Sequence, residues 1–161
     1  MRTFRHSFVV NCPIDRVWEF YIDVKHLGII TPKELELKII NSTSQKLTQG
    51  SEIWLEGKIM MMLSKRTKWH STITLFSVSP HKCEYVDEML TGPFKKWIHL
   101  HKFNDIDNDN SKKQTQVIDE IDFELPYGRL GKLFDGYAER TLQKLFYHRK
   151  VATIRVLENN L

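Results

Sequence analysis

Cysteine is scarce in this sequence. Cys12 and Cys83 are the only two, far apart and in no C-x-x-C pair, which leaves neither a disulfide framework nor a cysteine metal motif to organise the fold. No apolar run approaches the ~18 residues of a membrane span, so no stable membrane insertion is expected. The opening "MRTFRHSFVV" interleaves polar and apolar residues and lacks the continuous apolar core of a secretory signal; a reducing cytoplasm is the expected location. No Pro/Ser-rich linker, repeat or low-complexity tract divides the chain, and one domain over 1–161 is expected. Charge of one sign is also in short supply. The net charge is +4, and the basic pairs Lys65-Arg66, Lys95-Lys96, Lys112-Lys113 and Arg149-Lys150 are scattered among acids. That pattern describes a solvated surface, and no nucleic-acid partner is expected. GxSxG, P-loop, GxGxxG and HExxH motifs are all missing, and neither cysteine sits in a nucleophile motif.

What remains is a chain with 41% hydrophobic and 11% aromatic residues, too apolar for disorder. At 161 residues it can bury about two-thirds of its unfolded surface. "TFRHSFVVN" alternates at period two and predicts a strand with Phe4, His6, Phe8 and Val10 on one face. "CPIDRVWEFYIDVKHLG" predicts a helix that begins near Pro13 and carries Val17, Phe20 and Tyr21 at helical spacing, with Trp18 alongside. "TPKE" predicts a second, very short helix, Thr31 capping it and Pro32 at its first position. From Leu35 onward six strands follow: "LELKIINS", "SEIWLEGKIMMML", "KRTKWHSTITLFSVSP", "KCEYVDEML", "KKWIHLHKF" and "TQVIDEIDFELP". Gly50, Pro80 and Gly92-Pro93 separate several of them, and such short spacing predicts antiparallel hairpins. "NDIDNDNSKK" has Asp105, Asp107 and Asp109 at alternate positions. However, Asn110 and Gln116 stand where a calcium loop needs Gly and Glu, so a solvated hairpin tip is expected. A long helix closes the chain, with Leu130, Phe134, Tyr137, Thr141, Leu145, His148 and Ala152 as its stripe. The fold class is α+β: a curved seven-stranded antiparallel sheet wrapped around a long C-terminal helix, with two short helices between the first two strands.

That order, with "NCPIDRVWEFYID" after the first strand, "EYVDEMLTGPFKKWIHLHKF" in the middle and "IDFELPYGRLGKLF" before the last helix, resembles the START-like helix-grip superfamily (SRPBCC). Within it, the chain is similar to the polyketide cyclase/dehydrase and lipid-transport group and its small stand-alone prokaryotic ligand-binding members. The resemblance implies an internal, largely apolar cavity for a lipid, isoprenoid, polyketide or similar molecule. Relatives include carriers as well as enzymes, so the fold alone does not assign a reaction.

The most informative stretch is "WIHLHKF", which places Trp97, His99, His101 and Phe103 on one face. On "CEYVDEML" the matching face carries Cys83, Tyr85, Asp87 and Met89. On the last strand Thr115, Val117, Asp119, Ile121, Phe123 and Leu125 face the core, while Gln116, Glu120, Asp122 and Glu124 face water. Hairpin pairing then predicts a row Asp87–His99–Asp119, with Tyr85–His101–Val117 beside it. An Asp on each side of His99 favours its protonated form. Three chemistries suit such a row: a polar network satisfied within the core, an anchor for the polar end of a ligand, or acid/base catalysis by His99, Asp119 or Asp87. His-x-His also brings two imidazoles together for a metal, but flanking carboxylates are equally expected as hydrogen-bond partners, so no metal and no cofactor is assigned. The ligand-binding set is Trp69, Ile73, Tyr85, Asp87, Trp97, His99, His101, Asp119, Ile121, Phe134, Tyr137 and Thr141. Leu75, Ile59, Met61, Leu63 and Leu133 are further wall candidates, and residues 26–32 and 90–94 are expected at the rim. A binding role is favoured over a cyclase-, dehydrase- or hydrolase-type enzyme.

Overall fold

The computed structural model describes residues 1–58, 66–106, 113–126, 128 and 134–159. Strand β1 (Arg2–Val10) is followed by helix α1 (Ile14–Ile22) and by 3-10 turns at Val24–Gly28 and Lys33–Leu35. Six strands come next: β2 (Lys38–Ser42), β3 (Glu52–Lys58), β4 (Arg66–Val78), β5 (Lys82–Thr91), β6 (Lys96–Ile106) and β7 (Gln114–Glu124). Helix α2 (Asp135–Glu158) follows them. The strands form one antiparallel sheet in the order β1-β7-β6-β5-β4-β3-β2. Consecutive strands from β2 to β7 are hairpin neighbours, and the chain between β1 and β2 crosses from one edge of the sheet to the other. Register shifts at Ile39/Asn41 in β2 and at His70/Ser71 and Ile73/Leu75 in β4 supply the extra residues that bend strands. The sheet therefore curves and leaves a concave face. Among the described residues no helix is long and apolar enough to cross a membrane.

Helix α1 forms as its sequence predicts. Pro13, extended at φ −60°, precedes it, and Val17, Trp18, Phe20, Tyr21 and Ile22 are buried. It ends at Asp23, whose side chain accepts the Lys25 N–H at 3.1 Å and opens the first 3-10 turn. The predicted Thr31 cap does not form. Pro32 occupies the N-cap of a three-residue 3-10 turn, while the Thr31 hydroxyl donates to the Leu27 carbonyl at 2.7 Å. A hydroxyl one turn after an open carbonyl satisfies that carbonyl instead of starting a new helix.

Helix α2 departs from the expected phase. Its buried positions are Ala138, Leu142, Phe146, Arg149, Ala152, Thr153 and Leu157. Phe134 and Tyr137, predicted to face the sheet, are 59% and 49% exposed. The stripes starting at 137 and at 138 are nearly equally apolar, and only the sheet selects between them. Leu130 and Leu133, like Ile59, Met61, Leu63, Asp107 and Asp109, lie outside the described residues.

Among the described residues the core has two apolar parts. One gathers α1 against Val10, Cys83, Tyr85 and Phe103. The other joins Phe4, Ile121, Phe123, Leu142 and Phe146. Both cysteines are free and buried. Gly57 on β3 is set by close approach: a Cβ there would lie 2.9 Å from the Leu35 carbonyl oxygen. Gly57→Ala is therefore expected to push the Lys33–Leu35 turn outward and to cost about 1–3 kcal/mol, the range for overpacking; denaturant melts measure it.

Candidate functional site

Three adjacent strands and the long helix bring five ionisable side chains together where the two apolar clusters meet. β5 supplies Asp87, β6 His99 and His101, β7 Asp119, and α2 Arg149. Asp87 stands opposite His99 and Tyr85 opposite His101, as the short Gly92-Pro93 hairpin predicts. The next hairpin is displaced by two residues from the expected pairing. His101 faces Asp119, His99 faces Ile121, and Phe103 faces Val117. A shift of two keeps every side chain on its face, so both imidazoles still reach the same carboxylate. His99 donates from Nε2 to Asp119 Oδ1 across the diagonal at 2.9 Å, and His101 Nδ1 lies 3.4 Å from the same oxygen and 3.4 Å from Arg149 Nη1. The row is bent around Asp119 rather than straight.

Asp119 has no exposed surface, and its third partner is Arg149, whose Nη1 donates at 2.7 Å. Sequence reasoning missed Arg149, because beside Lys150 it reads as half of a solvated pair. A signal did exist: Arg149 falls on the stripe Ala138, Leu142, Phe146, Thr153 and Leu157, the one cation among small and apolar positions. A buried carboxylate without a cation is costly, so this arginine is the charge partner the buried aspartate requires. Its guanidinium also lies over the Phe146 and Tyr21 rings, 5.0 and 5.8 Å from their centroids.

Burial alone would raise the Asp119 pKa, but the Arg149 charge and the two imidazole hydrogen bonds outweigh it and hold it well below the usual carboxylate range. Asp87 moves the same way. Its burial is opposed by His101, by the field of His99 and by the Ser71 hydroxyl, and the net direction is down. The His99 pKa moves against the expected direction. Burial, the His101 ring with its centroid 3.6 Å away, and Arg149 overcome the attraction of Asp119 and push His99 down to about 4. An ionised carboxylate only accepts, so neutral His99 carries its proton on Nε2 and a lone pair on Nδ1. Tyr85 stacks on His101 at 4.1 Å and Trp97 sets its edge against His99 at 6.2 Å, which restricts both rings.

No family model and no curated protein matches the sequence. Solved structures do match. A protein from Thermus thermophilus superposes with TM-score 0.71 at 14% identity, covering 99% of both chains. A START superfamily protein from Mycobacterium smegmatis gives 0.64 at 10%, again covering 99% of both. An aromatase/cyclase from Streptomyces sp. R1128 gives 0.61 at 20%, covering 99% of this chain and 92% of its own. This is the START-like helix-grip fold.

In this helix-grip chain a cavity of about 230 Å³ lies between the concave sheet and α2. Of the predicted wall, Trp69, Ile73, Tyr85, Asp87, Trp97, His99, His101 and Thr141 line it. His26, Leu27, Ile30 and Thr31 from the 26–32 segment and Pro93 and Phe94 from the β5–β6 turn line it as well. Phe134 and Tyr137 are corrections: the rotation of α2 turns them toward solvent. Ile121 is another, because it packs into the Phe4–Phe146 cluster, and Leu75 is a further one, because it follows the register shift at Ile73/Leu75 and is 40% exposed. Asp119 sits behind the two imidazoles. Ser71, Leu55, Leu142 and Arg149 are among the other lining residues and had no individual sequence signal apart from that of Arg149.

Proposed function

We propose that this chain is a single-domain cytoplasmic protein that binds a hydrophobic small molecule in the cavity between sheet and α2, with the molecule's polar end on Asp87, His99 and His101. The observation that carries the reading is a mostly apolar hollow with Asp87, His99 and His101 clustered on its wall, one Asp87 oxygen, Oδ1, being buried and without a hydrogen-bond partner among the described residues. An unpaired buried acceptor is expensive, and a ligand hydroxyl or N–H relieves that cost. The volume of about 230 Å³ exceeds the ~150 Å³ that admits one benzene ring. One or two fused rings, or a short branched chain, fit it. The aromatase/cyclase and the START superfamily protein among the structural neighbours agree with a ligand of lipid, isoprenoid or polyketide type.

Native mass spectrometry of freshly purified protein, followed by organic extraction, is expected to return a bound apolar molecule. Binding of a fluorescent apolar probe tests the cavity directly. Thr141→Trp and Ile73→Phe put bulk into the hollow and are expected to weaken the probe at least about tenfold, the order of one or two lost methylene-sized contacts. Unchanged probe affinity in both folded variants removes the cavity as the binding site.

A second reading is supported by one feature. His99 has its Nε2–H tied to Asp119 and its Nδ1 lone pair turned toward Asp87 and the cavity, which is the posture of a general base. In that reading the protein is a cyclase- or dehydrase-type enzyme in which His99 removes a proton next to a carbonyl. Asp119→Asn then lowers turnover while leaving ligand affinity in place.

A further inference from the structure

We infer that Asp87, His99 and His101 form a three-ligand site for a divalent transition-metal ion of zinc type, opening into the cavity. One donor atom from each residue lies within 4.8 Å of the other two. Asp87 Oδ2 is 4.0 Å from His99 Nδ1 and 3.9 Å from His101 Nε2, too far for hydrogen bonds. The remaining oxygen, Asp87 Oδ1, is buried with no partner among the described residues.

The sequence treats Asp87 and Asp119 as equivalent neighbours of the imidazoles, and on that basis no metal is expected. The structure separates them. Asp119 lies behind both rings and takes the His99 Nε2–H at 2.9 Å, with His101 Nδ1 at 3.4 Å. A carboxylate in that position fixes the tautomer and orientation of metal-binding histidines, and Arg149 in turn fixes the carboxylate. Asp87 lies in front, its Oδ2 facing the Nδ1 lone pair of His99 and the Nε2 of His101. Ligation through His101 Nε2 leaves its proton on Nδ1, where Asp119 Oδ1 at 3.4 Å accepts it, and two lone pairs and a carboxylate then surround one gap.

Dimensions and charge agree. Zinc–nitrogen and zinc–oxygen bonds of about 2.0–2.1 Å place tetrahedral ligand atoms roughly 3.3 Å apart. Asp87 must therefore close by about 0.6 Å on that geometry, and with a side chain 26% exposed it is the least confined of the three. With both imidazoles neutral, as ligation requires, Asp87, Asp119 and Arg149 sum to −1. A divalent ion brings the cluster to +1. One anionic oxygen at the fourth position, on the cavity side, brings it to zero. The ligand class is then a hydrophobic molecule ending in a carboxylate or enolate oxygen. This deepens the binding reading and rests on it for that fourth ligand only; the ion itself is tested alone.

Tag-free protein is stripped with a chelator and titrated with Zn²⁺ by calorimetry and with Co²⁺ by visible absorption. The expected result is one ion per chain, a cobalt spectrum of low coordination number, and a Tm rise of about 5–10 °C at a hundredfold excess over Kd. His101→Gln and Asp87→Asn are each expected to weaken zinc roughly 100-fold, and Asp119→Asn about 10- to 100-fold through lost orientation. His81→Gln, which removes an imidazole with 83% side-chain exposure beside Asp105, is expected to change nothing. Asp87→Asn preserves shape, so with its fold checked by circular dichroism it keeps the test decisive if His101→Gln does not fold. Wild-type protein without saturable uptake, full affinity in Asp87→Asn, or loss of uptake in His81→Gln overturns the site. The apolar probe, added to stripped protein, separates the two readings. Probe binding without zinc uptake overturns the metal and keeps the cavity, whereas zinc uptake without probe binding keeps the metal site and overturns the carrier.

Discussion

Arg149→Met is expected to destabilise the protein by about 3–5 kcal/mol, because it leaves the buried Asp119 carboxylate without its cation. For a chain of this size that loss corresponds to a Tm decrease of roughly 6–20 °C. Methionine keeps the length and apolar contacts of the arginine stem, so the change isolates the charge. Asp119→Asn alone strands Arg149 instead and is expected to cost a similar amount. The double variant is expected to recover much of the loss, since the asparagine carbonyl still accepts the His99 Nε2–H and no longer demands a cation. A double-mutant cycle by urea denaturation measures this, with an expected coupling of at least about 2 kcal/mol, toward the upper end for residues in one network. If the two single losses simply add, or if Arg149→Met melts with the wild type, the 2.7 Å contact is not the pillar of the site.

Mild acid is expected to unfold the metal-free protein earlier than its carboxylates alone would dictate. His99 has a folded pKa of about 4 against roughly 6.5 in an unfolded chain. Between those values the unfolded state binds the proton and the native state does not, so stability is full above pH ~6.5 and falls as pH drops toward 4. At about 1.4 kcal/mol per pH unit the loss totals about 3 kcal/mol. The groups facing His99 are His101 on its own strand, Asp87 on β5, Asp119 on β7 and Arg149 on α2. His6 on β1 is also shifted down, chiefly by burial, and adds in the same direction. Asp87 and Asp119 have depressed pKa values, so their stabilisation is present above ~pH 4, the unfolded carboxylate range, and is lost only below it. The expected profile of chelator-treated protein is a plateau near neutrality, a decline from about pH 6.5, and a steeper fall under pH 4. Flat stability between pH 7 and 5 contradicts a neutral buried His99.

Much of the fold follows from local pattern. Alternation along "WIHLHKF" and "TQVIDEIDFELP" assigns Trp97, His99, His101, Phe103 and Asp119 to the concave face, because a strand repeats every two residues whatever lies beside it. The Gly92-Pro93 turn is short enough to set Asp87 against His99. Pro13 and the Val17, Phe20, Tyr21 spacing mark α1 for the same kind of reason. These features together specify an α+β sheet with an imidazole pair on its floor.

Three decisions belong to the tertiary structure. The pairing of β6 with β7 depends on the span between Ile106 and Gln114, and a two-residue shift there leaves every face unchanged, so periodicity does not detect it. The rotation of α2 depends on which of two similar stripes meets the sheet, and that choice turns Phe134 and Tyr137 outward and Arg149 inward. The protonation of His99 depends on how much water and how many charges surround it. Sequence patterns record which residues share a surface. Register, helix rotation and local dielectric arise only when surfaces meet, and they make His99, His101 and Asp119 one charge-balanced site with Arg149.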